Sequence, residues 1–161
     1  MNPLSLARIV IEHCIEVDNP ISNLQLQKIL YFLQLKSIRV DGFEKRLIMR
    51  QVFEAWRFGP VISSVYNAYC RNGGLKITVP KSSPEEDIII PYYVNDFIDN
   101  ALKVKPFKLV ALSHNNKGAW KQTYVEGKKY IISDQLICDE AKIIEEIDSQ
   151  IECYLFSKPT I

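Results

Sequence analysis

The residues best suited to chemistry are Ser113 and His114, which are adjacent in a polar turn. A hydroxyl or thiol beside an imidazole can act as nucleophile and base, and Cys70 or Cys138 could take the place of the serine. Such a pair is defined by its geometry in space, and a histidine in a polar turn more often stabilises that turn through hydrogen bonds. We therefore predict no catalytic residue and no enzymatic activity, and we expect His114→Ala to lower stability rather than turnover.

The cysteines are scattered along the chain, with no Cys-x-x-Cys pair and no Cys and His cluster at the spacing of a zinc site. Cysteines in this arrangement are typical of small buried hydrophobic residues in a reducing cytosol. The sequence also lacks a phosphate-binding glycine loop and the Gly-x-Ser-x-Gly elbow of many hydrolases. We expect no metal ion and no cofactor.

Lys28 is the charged residue inside an apolar run that contains Leu26, Ile29 and Leu30. A lysine at such a position either extends its amine to the surface or pairs with a carboxylate. We predict that Lys28 pairs with Glu54, which also lies within an otherwise apolar stretch.

Residues 53–61 read Phe-Glu-Ala-Trp-Arg-Phe-Gly-Pro-Val and form the stretch around which the chain is organised. Glycine permits a sharp turn, and proline is favourable at the first position of a helix. We predict an extended segment over 53–58 and a helix over 60–71. We expect Trp56 to fill the core, so that Trp56→Ala lowers the free energy of unfolding by about 3 to 5 kcal/mol.

Apolar residues at helical spacing predict further helices. The second helix begins at a capping box of Ser22 and Gln25 and carries two apolar stripes, which makes it the best candidate for a central helix. The other predicted segments are helices at 4–14 and 95–102, helices starting at Pro106 and Asp139, a loop at 38–52, and a β-hairpin of 76–79 and 88–90 with a mobile connection at 80–87. The predicted fold class is mainly α (α+β): about six helices with a small β-hairpin.

Composition limits the possible functions. The 161 residues suit a single compact domain spanning 1–161, and 20 Lys plus Arg against 19 Asp plus Glu give a formal charge of +1. This balance favours neither a dedicated nucleic-acid binder nor a polybasic membrane anchor. No apolar stretch approaches the roughly 20 residues that cross a bilayer, and no leader pattern is present at the N-terminus. We expect a soluble, cytoplasmic protein with no membrane partner.

Charge is nevertheless polarised in the C-terminal half. Residues 101–130 contain seven lysines and one acid. One face of the predicted final helix is acidic, with Glu140, Glu145, Glu146, Asp148 and Glu152. Solvated faces that attract one another weakly explain this pattern at least as well as a binding patch does.

Three motifs occur in order along the chain: Leu26-Gln27-Lys28-Ile29-Leu30-Tyr31, the 53–61 stretch followed by Tyr66, and Leu112-Ser113-His114 followed by Gly118-Ala119-Trp120. Together they resemble the Panacea domain family, which includes SocA-like antitoxins and phage-associated proteins. The resemblance covers about residues 5–157. Phe58, Ser113 and Ala119 stand where tyrosine, threonine and proline are common in the family.

The resemblance implies a mostly helical domain that neutralises a cognate protein toxin by binding it. In the SocA case it implies an adaptor that delivers the toxin to a cytosolic protease. The residues that match the family motifs are Lys28, Tyr31, Glu54, Trp56, Gly59, Pro60, Tyr66, His114 and Trp120. Most of these suit a scaffold better than a contact surface, with Trp56 and Trp120 in the core, so the signature is expected to mark the fold while the contact surface varies.

We predict a toxin-neutralising antitoxin or proteolytic adaptor that acts by protein–protein binding. The alternatives are a phage accessory or host-takeover protein and a nucleic-acid-binding regulator, for which the lysines of 101–130 are the only support. Tyrosine and arginine often contribute most of an interface's binding energy, so the predicted partner-binding residues are Arg57, Tyr69 and Arg71. Further candidate contacts are Ser64, Asn67, the 80–87 segment and the acidic face of the last helix.

Overall fold

The computed structural model describes residues 1–81 and 88–143, and helices make up most of it. The predicted fold class, mainly α with a small β element, is confirmed. The helices are α1 (Pro3–Glu16), α2 (Asn23–Asp41), α3 (Ser63–Tyr69), α4 (Tyr93–Leu102), α5 (Pro106–Ser113), α6 (Ala119–Thr123) and α7, of which residues 134–143 are described. The strands are β1 (Phe53–Trp56), β2 (Gly59–Val61) and β3 (Ile131–Ile132). No helix in these two ranges is both long and apolar enough to cross a membrane.

Helix α2 is the central element, as predicted. Its N-terminus has the predicted capping box, in which Ser22 and Gln25 each satisfy a free backbone donor. The helix contacts α1, α3, α4 and α5 as well as strand β2. Because neighbours cover most of its circumference, even its polar residues Gln27, Lys28 and Gln34 are buried. Each of these must therefore find a partner inside the protein.

The strands form one antiparallel sheet in the order β2-β1-β3. Trp56 pairs with Gly59, so Arg57 and Phe58 form the two-residue tip of the β1–β2 hairpin. We call residues 56–58 the hairpin tip. Strand β3 adds to the other edge of β1, with Ile132 opposite Phe53. The prediction that Pro60 starts a helix is wrong: the helix starts at Ser63, and Pro60 lies in edge strand β2, where a missing N–H is tolerated.

The predicted hairpin of residues 76–79 and 88–90 is also wrong. Lys76 forms an isolated bridge to Ser22, and the N–H of Ile77 donates to the carbonyl of Ile21 at 2.7 Å. The β-branched segment therefore pairs with the entry to α2 rather than with residues 88–90. Residues 82–87 of the segment predicted to be mobile lie outside the described residues.

Helices α2, α4 and α7 also begin or end at residues other than those predicted. Helix α2 continues to Asp41, beyond the predicted start of the loop at residue 38. Its Gln34 holds the loop that follows, because it accepts from the N–H of Ile48 and donates to the carbonyl of Ile48. Helix α4 starts at Tyr93, ahead of the predicted cap Asn95. Helix α7 is already formed at residue 134, where the Ser133 hydroxyl accepts from the N–H of Leu136.

Candidate functional site

Lys28 lies beneath the β1–β2 hairpin and is fully buried. Its Nζ donates to the carbonyl oxygen of Pro60 at 2.6 Å, and burial lowers the pKa of Lys28 to about 7. The predicted pair with Glu54 is wrong, because Glu54 instead accepts from the indole N–H of Trp56 at 2.8 Å. Alternation along β1 buries Phe53 and turns Glu54 to the opposite face of the sheet, away from Lys28.

Gly59 allows three elements to meet at this point. It has a positive φ of +101°, which glycine adopts readily. A Cβ at Gly59 would lie 2.5 Å from Oγ of Ser113 and 2.8 Å from Nζ of Lys28. A residue with a Cβ at this position would therefore force the side chains of Ser113 and Lys28 to move.

A second buried polar contact joins α2 to α7. The hydroxyl of Tyr31 donates to Glu140, and the N–H of Ala119 donates to the same carboxylate oxygen at 2.8 Å. Burial raises the pKa of Glu140 and, with the adjacent carboxylate, that of Tyr31. The prediction that Glu140 belongs to a solvated acidic face is therefore wrong. Glu140 is buried, and the two hydrogen-bond donors compensate the cost of burying its carboxyl group. The other acids of that face lie outside the described residues.

His114 stacks on Trp120, with ring centroids 3.6 Å apart and planes 3° apart. Burial, followed by the positive charges of Lys28 and Lys121, lowers the pKa of His114, which favours the neutral ring. Ser113 donates to the carbonyl of Val110 rather than to His114. Ser113 and His114 are therefore not arranged as the nucleophile and base that the sequence analysis considered.

The cysteines considered as alternative nucleophiles are not part of such a pair either. The thiol of Cys70 donates to the carbonyl of Asn67 at 3.3 Å. Burial, with nearby carboxylates, raises the pKa of the Cys138 thiol, which disfavours the thiolate. Within residues 1–81 and 88–143, no group of three or more His, Cys, Asp or Glu side chains is arranged to hold a metal ion.

The two tryptophans have different environments. Trp120 is buried as predicted, and its indole N–H donates to the carbonyl of Trp56 at 2.8 Å. Trp56 is half-buried, so its assignment to the core is wrong. Its ring packs against Tyr66 with centroids 4.8 Å apart, and Nζ of Lys129 lies 3.6 Å above it. The alternation of β1 explains this placement, because Trp56 shares the outer face with Glu54.

The predicted partner-binding residues are not all at the surface. Arg57 is exposed at the hairpin tip, and Arg71 is exposed after α3. Ser64 and Asn67 are exposed on α3 itself. Tyr69 is fully buried, and its hydroxyl accepts from the N–H of Lys81 at 2.9 Å. Tyr69 therefore stabilises the chain after α3 and cannot contact a partner in this conformation.

Two depressions beside the hairpin tip were not predicted from the sequence. One, of about 340 Å³, has apolar walls that include Leu24, Phe58 and Val61. The other, of about 370 Å³, is lined by Lys128 and Lys129 among others. The lysine-rich composition of 101–130 was the available signal for the second depression, but composition does not show which lysines lie together.

Comparison with known proteins identifies the chain's relatives. The family described as "Antitoxin SocA-like, Panacea domain" matches residues 26–121, more than half of the sequence. The chain belongs to this family. It is also 32% identical over 131 residues to Antitoxin SocA of Caulobacter vibrioides (strain NA1000 / CB15N). That alignment covers 72% of this chain and 66% of the relative, so the chain spans just under two thirds of its length. No solved structure matches significantly.

Some residues of each Panacea motif meet on the inner side of the hairpin, while Glu54, Trp56 and Tyr66 lie on its outer side. Lys28, Gly59 and Pro60 meet on the inner side, and Trp120 holds the end of β1 through its indole N–H. The outer side of the hairpin carries Arg57 and the exposed part of Trp56. The domain therefore presents its hairpin tip on a support made of its own motif residues.

Proposed function

We propose that this chain neutralises a cognate protein toxin by binding it. Membership of the SocA-like antitoxin family and the antitoxin relative support this role. The structural observation that carries the proposal is the hairpin tip: Arg57 and Phe58 are exposed beside two depressions, while buried contacts hold β2 from below. Exposed aromatic and arginine side chains on a rigid support are typical of protein-binding surfaces.

Neutralisation by binding requires no chemistry from His114. Its ring stacks on Trp120, burial lowers its pKa, and the hydroxyl of the adjacent Ser113 donates to a backbone carbonyl. We also propose that residues 1–161 act as one domain, since the buried core extends from Leu6 to Ala141. Binding can either block the toxin directly or deliver it to a cytosolic protease, and both routes begin with the same complex.

The experiment is co-expression with the product of the adjacent reading frame. We expect that product alone to arrest growth, this chain to restore growth, and the two proteins to co-purify. If the adjacent product is harmless, or if its toxicity is unaffected by this chain, the antitoxin proposal is wrong and a phage accessory role replaces it. Toxin levels in cells that contain or lack the major cytosolic proteases then separate blocking from delivery: only delivery makes the toxin short-lived in a protease-dependent way.

A further inference from the structure

The hairpin tip separates two depressions of different chemistry. Trp56 and Arg57 line both of them. A ligand that crosses the tip would therefore contact the same two side chains on its way from one depression to the other. The surface on either side consists of α2 and α3 on one flank and of residues 124–129 on the other.

The first depression is apolar and has an exposed aromatic edge. Phe58 at its rim is 49% exposed and meets Phe107 of α5 edge to face, with centroids 6.5 Å apart. Phe107 is itself 69% exposed. Large apolar side chains that lie together on a surface are costly in water, and such patches typically mark sites of protein contact.

The second depression is basic. Arg57, Lys128 and Lys129 surround it, together with Tyr124 and the single acid Glu126. In the described part of the chain, none of these three cations forms an ion pair with a carboxylate within 4 Å. Instead, Arg57 approaches the ring of Phe58 and Lys129 the ring of Trp56. The depression therefore has an excess of positive charge that an anionic ligand would neutralise.

We propose that the hairpin tip binds a segment of the protein partner in which a large apolar side chain is adjacent to acidic residues. The apolar side chain enters the depression beside Phe58, and the carboxylates face Arg57, Lys128 and Lys129. This inference rests on the proposed antitoxin function and adds the chemistry of the partner. A protein segment fits better than a nucleic acid, because half of the surface is apolar and the formal charge of the whole chain is only +1.

The first test uses the purified full-length chain and a fluorescent 12-residue peptide of alternating leucine and glutamate as the probe. We expect saturable binding that weakens roughly tenfold or more in K128E/K129E and in Phe58→Ala, as for hot-spot residues. The matched control is K103E/K117E, which changes the net charge equally at two exposed lysines outside the depression. It should bind the probe within about twofold of the parent, because surface charges distant from a site contribute little. Thermal melts establish that each variant is folded.

Three results would overturn the inference. The first is a glutamate peptide that does not bind, or that binds the parent and K128E/K129E equally. The second is equal binding of the same peptide with lysine in place of glutamate. The third is a 12-nucleotide uridine RNA that binds more tightly than the peptide and loses binding in K128E/K129E, which would make the surface a nucleic-acid site.

Growth rescue distinguishes this inference from the function on which it rests. If the parent and K103E/K117E restore growth and K128E/K129E does not, the antitoxin function and the hairpin-tip inference are both supported. If K128E/K129E restores growth as well as the parent does, the antitoxin function stands and the hairpin-tip inference is wrong. If the parent itself fails to restore growth, the proposed function is wrong whatever the peptide result.

Discussion

The amine of Lys28 lies 2.6 Å from the carbonyl oxygen of Pro60, and no other hydrogen bond of this amine occurs within the described residues. The contact joins the central helix to the edge strand of the hairpin. A buried lysine is costly unless it is neutral or well paired. Folding should therefore favour the neutral form of Lys28, which can still donate to this carbonyl.

The first prediction is a pH dependence of stability that Lys28 causes. Burial lowers its pKa in the folded chain to about 7, from an ordinary value of 10.5. Between these values the unfolded chain binds a proton that the folded chain does not, so the free energy of unfolding rises with pH. Raised pKa values of groups such as Cys14 act in the opposite direction above about pH 9. Urea unfolding of the parent from pH 7 to 9 should show a rise of up to about 1.4 kcal/mol per pH unit.

Lys28→Met provides the comparison for this prediction. Methionine fills a similar volume without a titrating group, so the rise between pH 7 and 9 should disappear. Lys103→Met, at an exposed position, should retain the rise. Parallel pH profiles for the parent and Lys28→Met would contradict the assignment of the effect to this amine.

The second prediction concerns the close approach at Gly59. Gly59→Ala should lower the free energy of unfolding by about 2 to 4 kcal/mol, because it adds both a strained φ and a steric clash. Gly127→Ala is the matched control, since Gly127 also has a positive φ but has no neighbouring atom within 4 Å of an added Cβ. The control should cost only about 1 kcal/mol. Equal losses in chemical denaturation would show that backbone strain alone sets the cost.

Removal of the Ser113 hydroxyl should partly relieve that clash. The added Cβ would lie closest to Oγ of Ser113, at 2.5 Å. Gly59→Ala/Ser113→Ala should therefore be more stable than the sum of the two single variants predicts, by about 0.5 to 1 kcal/mol. Strict additivity in the same denaturation assay would place the steric conflict elsewhere.

The two tryptophans should respond differently to truncation. Trp120→Ala should lower the free energy of unfolding by about 3 to 5 kcal/mol, because it opens a cavity in the core. Because Trp56 is half-buried, the loss of about 3 to 5 kcal/mol expected from the sequence is too large. Trp56→Ala should lower the free energy of unfolding by about 1 to 2 kcal/mol, through the loss of its contacts with Tyr66 and Lys129. Thermal melts of the two variants test this order, and a larger loss for Trp56→Ala would show that the outer face of the hairpin is more important for folding than described.

The features that the sequence predicted well are local ones. The capping box of Ser22 and Gln25 and the apolar stripes of α2 depend on residues within one or two turns of each other. Pairing of β1 with β3 joins residues far apart in the chain, and the two isoleucines of β3 are too short a run to indicate a strand on their own. Long-range pairing of this kind leaves little trace in a single sequence.

The errors at the site have similar causes. Lys28 pairs with a backbone carbonyl, which every residue has, so no side-chain pattern could identify Pro60 as its partner. Trp56 and Glu54 were predictable as outward-facing from the alternation of β1, but the aromatic content of the stretch favoured a core assignment. Glu140 is buried because Tyr31 and the N–H of Ala119 meet its carboxylate, a convergence of three distant segments.

The central claim is that this chain acts by binding and not by catalysis. The most direct measurement is a titration of this chain against a fixed amount of the purified product of the adjacent reading frame, in the absence of any protease, with the amount of complex as the readout. We expect the amount of complex to increase linearly and to saturate at a fixed ratio near equivalence, and His114→Ala, if folded, to give the same endpoint. A lack of complex at equivalence, covalent conversion of the product by a small fraction of an equivalent, or loss of binding in a folded His114→Ala variant would contradict the claim.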